Sequence, residues 1–252
     1  MKAKKPLGHK NYGSIPHLPG SRKGPGDHGC NEGQAKIATI APRDKNDLII
    51  VQEKLDGSNV GVARIDDKLI PLGRAGYPAI TSRWEQHKHF HNWVYSHYDR
   101  FMNVLKNGER LVGEWLMQAH GTRYRLGVHS PDYHSPFVPF DLMVGHTRLP
   151  YGVFWHRVAP LFQIPACLRY GDKAMSIEEA MESLGEFGHH GAMDPAEGAV
   201  WRVERKKPTG KKGEKVHVVD FLVKYVRPDK VDGKYLPEIS GEEAIWNWMP
   251  KR

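Results

Sequence analysis

Lys54 closes the apolar run Leu48-Ile49-Ile50-Val51 within the string Glu53-Lys54-Leu55-Asp56-Gly57-Ser58-Asn59. A lysine at a strand end, with an acid two residues on and then a glycine, has the makings of a covalent nucleophile. Its amine must shed a proton to attack, and a free lysine titrates at about 10.4. Partial burial and a neighbouring cation lower that value. Glycine lets backbone approach a ligand where a Cβ would clash. Four further strings fall in strand-like runs: Gly113-Glu114-Trp115, Phe140-Asp141-Leu142, Glu197-Gly198-Ala199-Val200 and Leu222-Val223-Lys224-Tyr225. They add two carboxylates, an aromatic plate and a second lysine. Each string alone recurs by chance, and Lys54 alone reads as a solvated strand-end lysine. Phe140 alone reads as core, and Asp141 as a strand-end cap or loop holder. Glu114 and Glu197 stand beside glycine and apolar residues, a costly place for a carboxylate without a partner.

The gaps are 60 residues from Lys54 to Glu114, 83 from there to Glu197 and 27 more to Lys224. In this order and spacing the strings resemble the motifs of the covalent nucleotidyltransferases, the superfamily of polynucleotide ligases and mRNA capping enzymes. The resemblance covers most of residues 48–227, and its RNA-ligase branch fits best. Asn59 stands where RNA ligases of this type carry Asn and DNA ligases generally carry Arg. Arg74 falls where these ligases place an arginine after the first hairpin. The last motif departs from the usual Lys-x-Lys, with Val226 at the second lysine position and Arg227 beside it.

The resemblance implies an ATP-dependent RNA ligase that joins 3′-hydroxyl and 5′-phosphate ends through lysyl-AMP at Lys54. The alternatives are a nick-sealing ligase on DNA or a hybrid, and an inactive nucleic-acid-binding relative. Phosphoryl transfer needs charge neutralisation at the α-phosphate. Lys224 meets that need, with Mg²⁺ (or Mn²⁺) held through waters by Glu197 and Asp56. Phe140 offers a face for adenine. Glu114 would accept from the ribose hydroxyl, Glu53 would meet the adenine amino group, and Asn59 and Arg74 would face the ribose or the 5′-phosphate.

The elements that must position these residues are legible as runs. Alternation predicts strands over 47–54, 58–65, 68–73, 110–118, 137–144, 197–204 and 216–226. Asp66-Asp67 marks a tight hairpin turn. Apolar residues from Trp84 to Leu105 recur at helical spacing and predict one helix over 82–106, ended by Asn107-Gly108. Ser176 with Glu179 is a capping box opening a helix over 176–187, and a short helix is expected near 240–248. This pattern predicts an α+β fold on antiparallel sheet; the resemblance makes that fold a ligase adenylation domain with flanking helices. Residues 1–35, rich in Gly, Pro, His and Lys, read as an irregular arm whose most distinctive run is His17–Arg22. Residues 36–252 form the nucleotidyltransferase domain, and the 28 residues after Lys224 leave no room for a separate OB-fold.

The 252 residues carry 37 Lys and Arg against 29 Asp and Glu, and the formal charge of +8 points to an anionic partner, RNA first. Cys30 and Cys167 are too few for a disulfide framework or zinc site and read as free thiols in the cytoplasm. No apolar run approaches membrane-spanning length. His87 and His91 share a helical face but lack acid or cysteine beside them, so a solvated helix is expected rather than a metal site. The basic runs Arg205-Lys206-Lys207 and Lys211-Lys212 suit a solvated loop or a phosphate contact equally.

Overall fold

The β-branched run that precedes Lys54 forms strand β1 (Asp47–Lys54). Side chains alternate across a strand, so Ile49 and Val51 enter one apolar cluster while Ile50, Gln52 and Lys54 share the opposite face. The computed structural model describes residues 4–127, 134–209 and 213–249. Around β1 it builds a sheet with β7 (Cys167–Gly171), β8 (Gly198–Pro208) and β9 (Lys215–Val226), in the order β7-β1-β8-β9. A second sheet orders β3 (Lys68–Gly73), β2 (Ser58–Ile65), β4 (Glu109–Trp115), β5 (Phe137–Val144) and β6 (Thr147–Arg148). Every ladder is antiparallel. The architecture is α+β, with helices packed on the outer faces. Asp66 and Asp67, at φ 47° and 59°, form the tight turn between β2 and β3.

Helix α1 (Glu32–Thr39) and helix α5 (Ile177–Leu184) flank the first sheet. Both carry capping boxes, on Asn31/Gln34 and Ser176/Glu179. Leu18, Ala38, Ile49, Val51, Trp201 and Val223 fill the space beneath them. An aromatic cluster that includes Phe90, Trp93, Phe101, Trp115, Phe137 and Phe154 packs α2 (Glu85–Ser96), α3 (Tyr98–Val104) and α4 (Tyr151–Val158) against the second sheet.

Three expectations differ from this structure. The helix over 82–106 is two helices broken at His97, where the Ser96 hydroxyl donates to the Trp93 carbonyl and His97 Nδ1 lies 2.9 Å from that oxygen. Both pieces bury the same face, so the periodicity runs unbroken across the kink. Near the carboxyl end, among the described residues, only α6 (Pro237–Ser240) is helical. Residues 245–247 lie extended against 117–119, with Asn247 N donating to Met117 O at 2.8 Å and Ala119 N to Ile245 O at 2.9 Å. Trp246 and Trp248, two apart, pack on the aromatic cluster, which is strand spacing rather than helical. The arm's expected limit at residue 35 falls inside α1, and β6, β7 and α4 were not anticipated in the alternation.

Candidate active site

Lys54 ends β1 on the face that looks into a cavity of about 460 Å³ between the two sheets. Alternation carries further cavity residues from the same sheet: Val200 and Arg202 from β8, Leu222 and Lys224 from β9. Cross-strand register sets Lys54 opposite Gly198 and Val200 opposite Lys224. Gly198 has φ 155°, and a Cβ there would strike the Tyr225 carbonyl, so the chain enters β8 tightly enough to aim Glu197 inward. The opposite wall comes from β2, β4 and β5 through Ser58, Asn59, Glu114, Phe140 and Asp141. Glu53, Lys54, Asp56, Asn59, Arg74, Glu114, Phe140, Glu197 and Lys224 all line this one cavity.

Lys54 Nζ lies 2.5 Å from Glu197 Oε2. Burial opposes the ammonium, yet Glu197 chiefly, with Glu114 and Asp56, holds the Lys54 pKa above its ordinary value. The depressed amine expected from a neighbouring cation is therefore not the resting state of this site; here the lysine waits charged, against a carboxylate. Glu197 titrates above the ordinary range because it is buried. Burial also pushes Glu114 up to about 8, with Glu197 and Asp56 adding to the rise against Lys54. Lys224 is lowered by burial and by repulsion from Lys54.

The Asp56-Gly57 turn is fixed from three sides. Asp56 N donates to Tyr124 Oη at 2.9 Å, Gly121 N donates to Asp56 Oδ2 at 2.8 Å, and Gly57 N donates to Glu114 Oε1 at 3.1 Å. Lys230 Nζ lies 2.9 Å from Asp56 Oδ2. A Cβ on Gly57 would sit 2.5 Å from the Trp115 carbonyl oxygen, which is why this turn closes on β4 only with glycine. Buried Glu53 accepts from His189 N at 3.1 Å. Asn59 Oδ1 is buried without a hydrogen-bond partner among the described residues, and Arg74 stands exposed at the rim. Arg227 pairs with Asp229 at 2.8 Å and lines a smaller neighbouring cavity.

Phe140 is half-buried and meets the Tyr12 ring edge-on at 5.3 Å. Beneath it Asp141 accepts from Tyr12 Oη at 2.5 Å, from Arg148 Nε at 3.0 Å and from Arg202, tying the arm and both sheets together. Tyr12, Gln52, His87, His120 and Arg202 also line the cavity and were not read from the sequence as site residues. His87 faces the cavity rather than solvent, and burial lowers its pKa to about 4. Only the apolar-face spacing of His87 pointed inward; Arg202 hides in a strand whose polar partner is 61 residues away. Lys211 and Lys212 lie outside the described residues. Among the described residues no three His, Cys, Asp or Glu side chains group closely enough to hold a metal directly. The donor set still fits a hard cation bound through water, since the carboxylates of Glu197, Asp56 and Glu114 face the same space as Lys54. No helix among the described residues is long and apolar enough to cross a membrane.

Residues 47–226 match the family model described as RNA ligase. No curated protein matches the chain. Among solved structures, a lysine-to-methionine variant of Naegleria gruberi RNA ligase with AMP and Mn is similar at 14% identity and a TM-score of 0.50, over 88% of this chain and 61% of that one. A lysine-to-alanine variant of the same ligase with ATP and Mn gives 15% identity and 0.47, over 72% and 50%. An archaeal ATP-dependent RNA ligase gives 18% and 0.42, over 71% and 42%. The chain thus spans roughly half the length of these proteins. At these identities the likeness is one of fold.

Proposed function

Because the chain belongs to the RNA ligase family, we propose that it is an ATP-dependent RNA ligase acting through a lysyl-AMP intermediate on Lys54. One observation carries this reading: five motif strings scattered over 170 residues of chain converge on a single cavity, with Lys54 against Glu197 at its centre.

In the first step the Lys54 ammonium gives up a proton, and Glu197 stands at hydrogen-bond distance to take it. Burial makes Glu197 a stronger base than an exposed carboxylate. The neutral amine then forms the Nζ–P bond as the bond from the α-phosphorus to pyrophosphate breaks. Lys224 neutralises charge on the α-phosphate oxygens. Phe140, braced by Tyr12, stacks on adenine, Glu53 accepts from its amino group and Glu114 from a ribose hydroxyl. Glu197 and Asp56 would hold Mg²⁺ or Mn²⁺ through waters; such a cation supplies charge neutralisation at the phosphates and draws negative charge away from Lys54. The Naegleria structure of similar fold holds AMP and Mn, in keeping with that assignment. A 5′-phosphate oxygen next takes AMP from Lys54, and a 3′-hydroxyl displaces AMP to form the phosphodiester. Dividing the joining reaction this way spreads one hard displacement over easier ones. Arg74, at the rim, and Asn59, deeper in the cavity, would face the ribose or the incoming 5′-phosphate. Residues 36–252 are proposed as the nucleotidyltransferase domain, its boundary with the arm falling within α1.

Intact mass after incubation with ATP and Mg²⁺ tests this. The native chain should gain one AMP and Lys54→Ala none. No adduct on the native chain, once pre-bound AMP is removed, overturns the ligase reading in favour of a binding module. Nicked RNA, DNA and hybrid duplexes offered to the adenylylated protein then identify the polynucleotide.

A further inference from the structure

The amino-terminal arm reaches the cavity at one cation. Pro16 O accepts from Lys224 N at 2.9 Å and Leu18 N donates to Lys224 O at 2.8 Å, so the arm runs along the outer edge of β9 and grips this lysine's backbone on both sides. Leu18, only 1% exposed, anchors the arm in the core beneath the first sheet. Between these backbone contacts stands a chain of polar groups, buried at His17 and Ser21 and half-buried at Asp27. Ser21 Oγ accepts from Val226 N at 2.9 Å and lies 2.7 Å from His17 Nδ1. His17 Nε2 lies 3.1 Å from Asp27 Oδ2, which also accepts from Gly24 N at 3.0 Å. The other oxygen, Asp27 Oδ1, is 3.8 Å from Lys224 Nζ. A neutral imidazole carrying its proton on Nε2 accepts from Ser21 at Nδ1 and sets its N–H side against the Asp27 carboxylate, a close polar contact outside hydrogen-bond geometry. Each link fixes the next, from the β9 backbone out to the carboxylate.

We propose that Asp27, held by His17 and Gly24, is a positioning residue for Lys224, orienting its ammonium over the cavity for nucleotidyl transfer. The inference rests on the reading of Lys224 as the α-phosphate cation. Lys224 needs such a partner. It is half-buried, it shares the cavity with the Lys54 ammonium, and it has no lysine two residues on to share its task. A cation held loosely at 3.8 Å is aimed without being locked, and it can move to a phosphate when one arrives.

Single-turnover formation of lysyl-AMP, followed by intact mass over a series of ATP concentrations, tests the role in the full chain. Asp27→Asn should lower the limiting rate about tenfold or more while changing the half-saturating ATP far less. Asp27→Glu should recover most of that rate. In a Lys224→Ala background Asp27→Asn should cost less than about twofold, because its target is gone. Equal slowing in both backgrounds, or no slowing in either, overturns the proposal. If Lys224→Ala leaves no measurable rate, Asp27→Glu decides, and failure to exceed Asp27→Asn overturns it. Thermal unfolding of each variant separates a collapsed arm from a misdirected lysine. A wild-type chain that forms no adduct instead removes the ligase reading beneath the proposal.

Discussion

At the scale of single residues, burial decides which carboxylates of the cavity keep a proton. Glu114 shows this most plainly, with burial and its acidic neighbours lifting its pKa from 4.5 to about 8. The folded protein therefore keeps a proton that the unfolded chain has released across that interval. Stability from this group is fully present below pH 4.5 and is lost as pH rises through about 8. Glu114→Gln keeps the shape without the titration, so it should melt higher than wild type above pH 8, and the gap should close below pH 5. Calorimetry across this range checks it; a Gln variant that melts no higher in alkali sinks the argument. The same variant should also adenylylate more slowly, since the proposed ribose acceptor is gone. That Lys54, Glu114, Phe140, Glu197 and Lys224 share one cavity was legible in the sequence, through the order and spacing on which the resemblance rests. Tyr12, His120 and Arg202 were not. Their place in the cavity depends on contacts between segments as far apart as Tyr12 and Asp141, 129 residues away, which leave no local pattern.

At the scale of elements, the loop after β4, the turn before β8 and the carboxyl-terminal strap meet at Asp194. Its carboxylate accepts from Arg123 N and Nε, both at 2.9 Å, and from Tyr235 Oη at 2.8 Å. Burial alone would raise its pKa, but the bonds from Arg123 outweigh that and draw it down from 3.8 to about 2. A depressed carboxylate stabilises the fold above its unfolded pKa and loses that contribution as pH falls through the folded one. Asp194→Asn should therefore cost about 2 kcal/mol at neutral pH. The cost should narrow as pH drops from 3.8 toward 2. Denaturant titrations at two pH values check this, and a cost independent of pH would assign Asp194 to packing instead of charge. Strands were the legible elements: β1, β2, β3 and β5 fall where alternation put them. The strap was misread as helix because Glu242, Glu243 and Ala244 favour helix locally, whereas the docking of Trp246 and Trp248 on distant aromatics decides its form. The break at His97 was invisible for the converse reason, since neither flanking helix changes its buried face.

At the scale of the whole molecule, the net charge of +8 favours a polyanion, and under the proposed function that partner is RNA. The ladder of β8 with β9 continues past the cavity to Pro208 opposite Lys215. Along it Arg205 is neutralised by Asp44 and Asp47. Lys206 and Lys207 are exposed and have no ion pair among the described residues. Unpaired cations on a projecting hairpin attract a phosphate backbone, and each contact made releases counterions from it. Affinity for a nicked RNA duplex should fall linearly on logarithmic axes as salt rises. Replacing Lys206 and Lys207 together with Ser should make that slope shallower by about 2 if both touch phosphate. Formation of lysyl-AMP should be unchanged, because neither side chain lines the cavity. Binding isotherms over a salt series measure the slope. An unchanged slope would return the hairpin to the role of a solvated edge and move the RNA track toward the cavity rim at Arg74. A shallower slope with intact adenylylation would set the strand's path along β8 and β9, with the end to be sealed delivered at Lys54.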